Sequence, residues 1–178
     1  MSRELSGGGQ LMDQGVHLID LARVVGGDVS LAFAELRSEF WPAQVEDNAY
    51  LALRYRDGPI AWLHASWTEW KNTFSFEVAL KTAKLEITGL GGTYGTERLT
   101  FYEMLPEMGP PQTTCWEWPF ADRSWSLEMA DVAAELAGLP SRGAGLDDAI
   151  AVLDIVEAAY SSAGALSAQT APSGINPG

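Results

Sequence analysis

The chain is poor in cysteine, histidine and positive charge, and each shortage narrows what it can be. One cysteine in 178 residues, Cys115, cannot close an internal disulfide, which suits a reducing compartment. Eleven Lys and Arg face 24 Asp and Glu, giving a formal net charge of −13 and a pI near 4.4. Such a field repels phosphate backbones and anionic lipid headgroups, so neither nucleic acid nor a membrane is expected as a partner. No apolar run approaches the roughly 18 residues of a membrane span, and no basic-then-apolar leader opens the chain. Together these absences predict a soluble, cytoplasmic protein. There is no G-x-S-x-G, and Cys115 has no histidine near it in sequence, so it is expected to be a packed thiol rather than a nucleophile.

What is present is the material of a core. Apolar residues make up 47% of the chain and include seven tryptophans, which predicts one globular domain rather than a disordered segment. A polar, glycine-rich start leads into a helix expected from about Met12 to Val25. There Val16, Ile19 and Val24, with Leu18, Leu21 and Val25, cover much of the circumference and predict a largely buried helix that Gly26 and Gly27 stop. After a mixed stretch at 29–41, "NAYLALRYR", "IAWLHASWTE", "TFSFEVALK", "KLEIT" and "RLTFYE" alternate with period two, the first two joined by "DGP". Short connections between such runs imply antiparallel pairing.

Two helices follow. Trp125, Met129, Val132 and Leu136 make one stripe, ended by Gly138 and Pro140, and Ile150, Leu153, Val156 and Tyr160 make another from Leu146 onward. The expected architecture is α+β: a mostly antiparallel sheet with helices packed on one face. The other face, carrying Tyr50, Trp62 and His64, is left for oligomerisation. Residues 1–163 are expected to form the domain and residues 164–178 a flexible tail.

Asp13 and His17 stand four apart on the first helix, which in α geometry puts both on one stripe, roughly 5–6 Å apart at Cβ. A carboxylate can orient an imidazole or share a substrate hydroxyl with it, and histidine can carry a proton near neutral pH. The plainer alternative is an acid favoured by the helix N-terminus beside a satisfied histidine. Asp20 extends the stripe, but three ligands on one straight helix seldom converge on an ion. No metal is therefore expected, and Asp20 is read as a structural hydrogen-bonding group. "GLGGTYG" at 89–95 puts Tyr94 where G-x-G-x-x-G needs its last glycine, and it leads into a strand rather than a helix. It reads as a turn between strands. Lys71, between two strands, is expected to be solvated.

The stretch "GGGQLMDQGVHLIDLARVVGGDV" closely resembles the signature helix of the Gfo/Idh/MocA oxidoreductases, named for glucose–fructose oxidoreductase and inositol dehydrogenase. Gly7, Gly8, Gly9, Asp13, Gly15, His17 and Asp20 match the G-G-G-x-x-x-D-x-G-x-H-x-x-D pattern. The similarity continues through "VEDNAYLALRYRDGPIAWLHASWTEW" and "LEITGLGGTYGTERLTFYE" to "LDDAIAVLDIVEAAYSSA", about residues 3–163.

The resemblance implies the C-terminal domain of a two-domain enzyme that passes hydride between NAD or NADP and a carbinol carbon of a sugar, polyol or related compound. It implies that His17 is the general acid/base at the substrate hydroxyl and that Asp13 hydrogen-bonds in the same constellation. Gly7, Gly8, Gly9 and Gly15 are expected to let backbone approach the substrate or cofactor closely. The sheet face of such domains commonly makes the oligomer interface, so a homodimer or larger assembly is expected. The family's nucleotide-binding G-x-G-x-x-G and its lysine-bearing E-K-P have no counterpart in the sequence. The chain alone is therefore expected to bind no nicotinamide and to be inactive without a Rossmann domain. Two readings stay open: the substrate-binding and oligomerising half of an NAD(P)-dependent oxidoreductase, or a non-catalytic dimeric module that binds a polyol or a protein.

Overall fold

The computed structural model describes residues 3–107, 109–119 and 121–170, with side chains described over 4–164 of these. The chain folds as two compact units: residues 1–68 with 144–178, and residues 69–143.

In the first unit, α1 (Arg3–Ser6) leads through the glycines into a π-helical turn, Leu11–Gly15, which runs straight into α2 (Val16–Gly26). Three antiparallel strands follow in the order β1 (Val29–Arg37), β2 (Asn48–Tyr55) and β3 (Ile60–Ser66), and α4 (Leu146–Thr170) returns to pack on β1 and α2. The "DGP" turn closes as expected. Gly58 takes φ +98° and donates to the Tyr55 carbonyl, while the Tyr55 N–H donates to the Pro59 carbonyl.

Register decides which face of this sheet is the core. Ala34, Leu51 and Leu63 share one row and Ala49 and Ala65 another, all buried with Leu11, Ile19, Val156 and Ala159. A bulge between Leu31 and Phe33 lets Leu31 pack on that core while Phe33 turns to the opposite face. There Phe33 stacks on Trp62 at 6.1 Å and Tyr50 on His64 at 4.3 Å, so Tyr50, Trp62 and His64 do share the face away from the helices.

The helix faces differ from the expected ones. On α2 the buried residues are Ile19 and Ala22, and Val24 and Val25 are exposed. On α4 the buried stripe is Val152, Ile155, Val156 and Ala159, at the i, i+3, i+4, i+7 spacing of a core-facing helix, and Ile150 and Leu153 face outward with Leu146. Helix α4 also continues to Thr170, through the first part of the stretch read as tail. Residues 171–178 lie outside the described residues.

The second unit is a four-stranded antiparallel sheet in sequence order: β4 (Ser75–Ala79), β5 (Ala83–Thr88), β6 (Glu97–Glu103) and β7 (Gln112–Trp118). The class is the expected α+β, with the antiparallel strands in two hydrogen-bonded sheets, and β7 is a strand that the sequence pattern does not announce. One face carries Phe76, Ile87, Leu99 and Trp116 in a row. Cys115 on β7 is exposed rather than packed. "GLGGTYG" is the expected turn between β5 and β6, with Gly89, Gly91, Gly92 and Gly95 all at positive φ and a Gly92–Gly95 bridge. Helix α3 (Ser124–Leu136) ends as expected, with Gly138 at φ +71° and Leu139 N–H returning to the Ala134 carbonyl at 2.9 Å. Its stripe from Trp125 to Leu136 is exposed.

At the end of α2 the fold depends on a missing side chain. Tyr55 donates its hydroxyl to the Ala22 carbonyl at 2.8 Å, and its ring lies where a Cβ on Gly26 would stand. Gly26→Ala is expected to displace the ring and cost about 1–3 kcal/mol of stability, read as a lower urea midpoint at unchanged slope.

Candidate functional site

The motif stretch begins where the chain turns through Gly7, at φ +73°. The next residues, Gly8, Gly9, Gln10 and Leu11, are all buried. Their N–H groups belong to a helix start, where no intrahelical acceptor exists. Gln10 and Gly15, heading the π turn and α2, supply no side-chain cap.

The acceptor comes from elsewhere. Glu46, 8% exposed, sits just before β2 and points one carboxylate oxygen, Oε1, at this backbone. Oε1 accepts from Gly9 N–H at 3.2 Å, Leu11 N–H at 3.1 Å and the Tyr160 hydroxyl of α4 at 2.7 Å. Gly9 N–H also reaches the Tyr160 oxygen at 3.3 Å, and Gln10 N–H donates to the Glu46 carbonyl at 2.9 Å. The glycines make room for this. A Cβ on Gly9 would collide with the Glu46 backbone, and one on Gly8 would lie 2.5 Å from the Tyr160 oxygen. The close approach recorded for both glycines is thus within the chain. Gly15 packs under Leu11 Cδ1, 2.9 Å from where its Cβ would stand. Gln10 is 2% exposed, and its Oε1 has no partner among the described residues.

Asp13 and His17 emerge from this buried base into solvent. Both are exposed, between buried Leu11, Gly15 and Ile19. The turn under them closes with Val16 N–H to the Leu11 carbonyl, five residues back, so it is wider than an α turn. The same-stripe argument for a spacing of four therefore does not carry over unchanged, and no hydrogen bond joins the two side chains. Asp13 Oδ2 instead accepts from the Gln14 amide at 3.2 Å. The side chains of His17 and the half-buried Asp20 have no hydrogen-bond partner among the described residues. No group of three His, Cys, Asp or Glu among those residues is placed to hold a metal. His64, the other histidine, lies on the outer sheet face with Nε2 3.2 Å from Asn48 Oδ1.

Beside Glu46, Asp47 is fully buried and gathers a second set of donors. Its carboxylate accepts from the N–H groups of Glu39, Phe40 and Trp41, at 2.8–3.2 Å, and from the Asn48 amide at 3.0 Å. Burial pushes its pKa up, but the bonds from Trp41, Glu39, Phe40 and Asn48 outweigh that and hold it at about 2. Neither Glu46 nor Asp47 stands out in sequence. "VEDN" is a polar cluster before a strand, and the only clue is two acids beside an otherwise apolar run.

A phosphate cradle needs free N–H groups at a helix start. Here Gly9, Gln10 and Leu11 donate to Glu46, and Asp13 N–H donates to the Gly9 carbonyl. The other glycine cluster is a strand-to-strand turn. The amides of Gly9, Gln10 and Leu11 are therefore not free to hold a pyrophosphate.

The depressed pKa of Asp47 carries a pH dependence. Its folded value of about 2 lies below the ordinary 3.8, so its contribution to stability is complete above about pH 4 and is lost as pH falls through about 2. Asp47→Asn is expected to destabilise by about 2–4 kcal/mol at neutral pH, because a carboxylate serving several donors is removed. The gap between wild type and variant should shrink between about pH 4 and 2 in denaturant titrations.

The sequence model of the GFO/IDH/MocA C-terminal domain matches residues 1–94. Among solved structures, a protein assigned as an NADPH-dependent oxidoreductase from Desulfitobacterium hafniense aligns with TM-score 0.72 at 21% identity, over 88% of this chain and 46% of that one. The WlbA dehydrogenase of Bordetella pertussis, in complex with NADH and UDP-GlcNAcA, aligns with TM-score 0.63 at 22% identity, over 88% and 43%. The UDP-N-acetylglucosamine 3-dehydrogenase GnnA of Acidithiobacillus ferrooxidans aligns with TM-score 0.66 at 16% identity, over 91% and 50%. These likenesses are of fold, and the chain spans about half the length of each structure. A search of curated protein sequences finds no match. With its signature stretch and more than half of its length inside the match, this chain belongs to the GFO/IDH/MocA C-terminal domain family.

Proposed function

We propose that this chain is the substrate-binding half of a nicotinamide-dependent oxidoreductase acting on a sugar, polyol or related hydroxy compound. In this reading His17 takes and returns the proton of the substrate hydroxyl, and Asp13 orients that hydroxyl beside it. The observation that carries the reading is the contrast within one short stretch. Gly8–Leu11 are buried, with the N–H groups of Gly9, Gln10 and Leu11 engaged by Glu46, while the acid and the histidine that follow are exposed, with no ion pair or mutual hydrogen bond among the described residues. His17 is exposed, so it is not a buried histidine held in place by a structural hydrogen bond. A π turn directly beneath such residues is a frequent feature of functional sites.

In this reading the nicotinamide cofactor is held by a separate nucleotide-binding domain, because Glu46 already engages the amides of Gly9, Gln10 and Leu11 at the glycine-rich helix start. Two features support such a partner. The chain spans about half of the oxidoreductases it resembles in fold. Apolar Val24 on α2 and Leu146 and Ile150 on α4 are left exposed. The sheet face with Phe33, Trp62, Tyr50 and His64 is the part of this reading that serves assembly into a dimer or larger oligomer. Sugar nucleotides belong in the substrate panel because two of the structural neighbours are described with them.

The test joins this chain to its nucleotide-binding domain and measures turnover with NAD⁺ and NADP⁺ against sugars, polyols and UDP-sugars. His17→Ala is expected to lower kcat by about 10²–10⁴-fold, the usual loss with a general acid/base. Its stability should stay within about 0.5 kcal/mol, because the side chain is exposed and makes no hydrogen bond among the described residues. Undiminished turnover in His17→Ala would remove that residue from the chemistry. Polyol binding by the chain alone, with no turnover in the joined enzyme, would favour a non-catalytic binding module.

A further inference from the structure

The motif helix is capped from a distance, and the choice of cap has a consequence for the residues it carries. Orphan N–H groups at a helix start are ordinarily satisfied by a Ser, Thr, Asp or Asn immediately before it. Such a cap fixes the helix to its own preceding residue and to nothing else. Here the acceptor for Gly9 and Leu11 is a carboxylate 37 and 35 positions away, and the Tyr160 hydroxyl that shares the contact lies 151 positions from Gly9. Glu46 leads directly into β2, and Tyr160 belongs to α4.

We propose that Glu46 and Tyr160 are positioning residues: by capping the start of the motif helix from the sheet and from α4, they set where Asp13 and His17 stand. The proposal rests on the acid/base reading of that pair. Three donors meeting at one carboxylate oxygen define its position in three directions, and a carboxylate acceptor binds such donors more strongly than a neutral one. Stability alone is a weak reason for this arrangement, because a buried carboxylate often contributes no more than a well-packed apolar group of the same volume. What the carboxylate provides that an apolar group cannot is a defined backbone geometry at Gly9–Leu11. That backbone is the first turn beneath Asp13, and the π turn transmits it directly to His17. Gly8 and Gly9 belong to the same device, since a side chain on either would push Tyr160 or Glu46 away.

The test uses Tyr160→Phe, which keeps the ring and removes the donor, with Glu46→Gln as the conservative partner that keeps an acceptor and removes the charge. In the full 178-residue chain, amide hydrogen exchange at Gly9 and Leu11 is expected to accelerate by about tenfold or more in either variant, while Leu51 and Leu53 in β2 keep their protection. The Gly9 and Leu11 amide protons should move upfield in Glu46→Gln as the charged acceptor is lost, and the resonances of Asp13 to His17 should shift in both variants. Unchanged exchange at Gly9 and Leu11, or unmoved resonances from Asp13 to His17, would overturn the proposal whatever the enzyme does.

In the enzyme joined to its nucleotide-binding domain, Tyr160→Phe is expected to lower kcat by about tenfold with KM for the sugar within about twofold, the mark of a misplaced rather than a missing group. Normal kcat in a variant whose exchange is accelerated would overturn positioning and leave a purely structural bond. Absence of turnover in the wild-type enzyme is a failure of the oxidoreductase reading, which the exchange and resonance measurements do not depend on.

Discussion

The structure around the motif depends on burying two adjacent carboxylates, Glu46 and Asp47, at the entrance to β2. Each is costly to remove from water unless donors surround it. The chain supplies those donors almost entirely from its own backbone: Gly9 and Leu11 for Glu46, and Glu39, Phe40 and Trp41 for Asp47. Successive residues of a strand entry point in opposite directions, so the pair organises two different segments. One is the glycine turn before the motif helix. The other is the loop after β1, where Phe40 and Trp41 pack edge to face at 4.9 Å. Satisfying the acids therefore fixes the two backbone segments that flank β2.

Much of the fold was legible because its determinants are local. Alternation in "NAYLALRYR" and "IAWLHASWTE" and the turn chemistry of Asp57, Gly58 and Pro59 settle a hairpin whatever surrounds it. The face holding Tyr50, Trp62 and His64 followed from counting residues in twos. The helices were less legible for a physical reason. On α2 and α4 apolar residues lie all round the axis, so periodicity cannot say which of them meet the core and which are left for another surface. Periodicity puts Val24 in a largely buried helix and Ile150 and Leu153 on one stripe with Val156, yet all three are exposed. The stretch "QTTCWEW" gives little strand signal because every residue of β7 is exposed and its alternation is correspondingly weak.

The site was half legible. Asp13 and His17 carry a recognisable spacing, but the π turn between them appears only in the backbone, because nothing in residue types distinguishes an i→i+5 ring from an i→i+4 one. Glu46 and Tyr160 could not have been found from the motif, since they meet it across 37 and 151 positions of chain. The glycines invite a reading as a ligand cradle, and the structure supplies a nearer reason for two of them. Gly8 and Gly9 are small so that a tyrosine and a glutamate of the same chain can come close.

That reason bears on how work would be divided in the proposed enzyme. A glycine-rich helix start can serve a phosphate only if its N–H groups are free, and here Glu46 already engages those of Gly9 and Leu11 through its carboxylate and that of Gln10 through its carbonyl. An anion brought to the same amides would meet Glu46 first and be repelled by it at short range in a low-dielectric setting. The motif helix is thus ill suited to hold the charged part of a nicotinamide dinucleotide and well suited to present two fixed side chains at its surface. On the proposed reading, the dinucleotide's phosphates belong to the other domain and the proton belongs to this one. The boundary between them runs through the substrate hydroxyl.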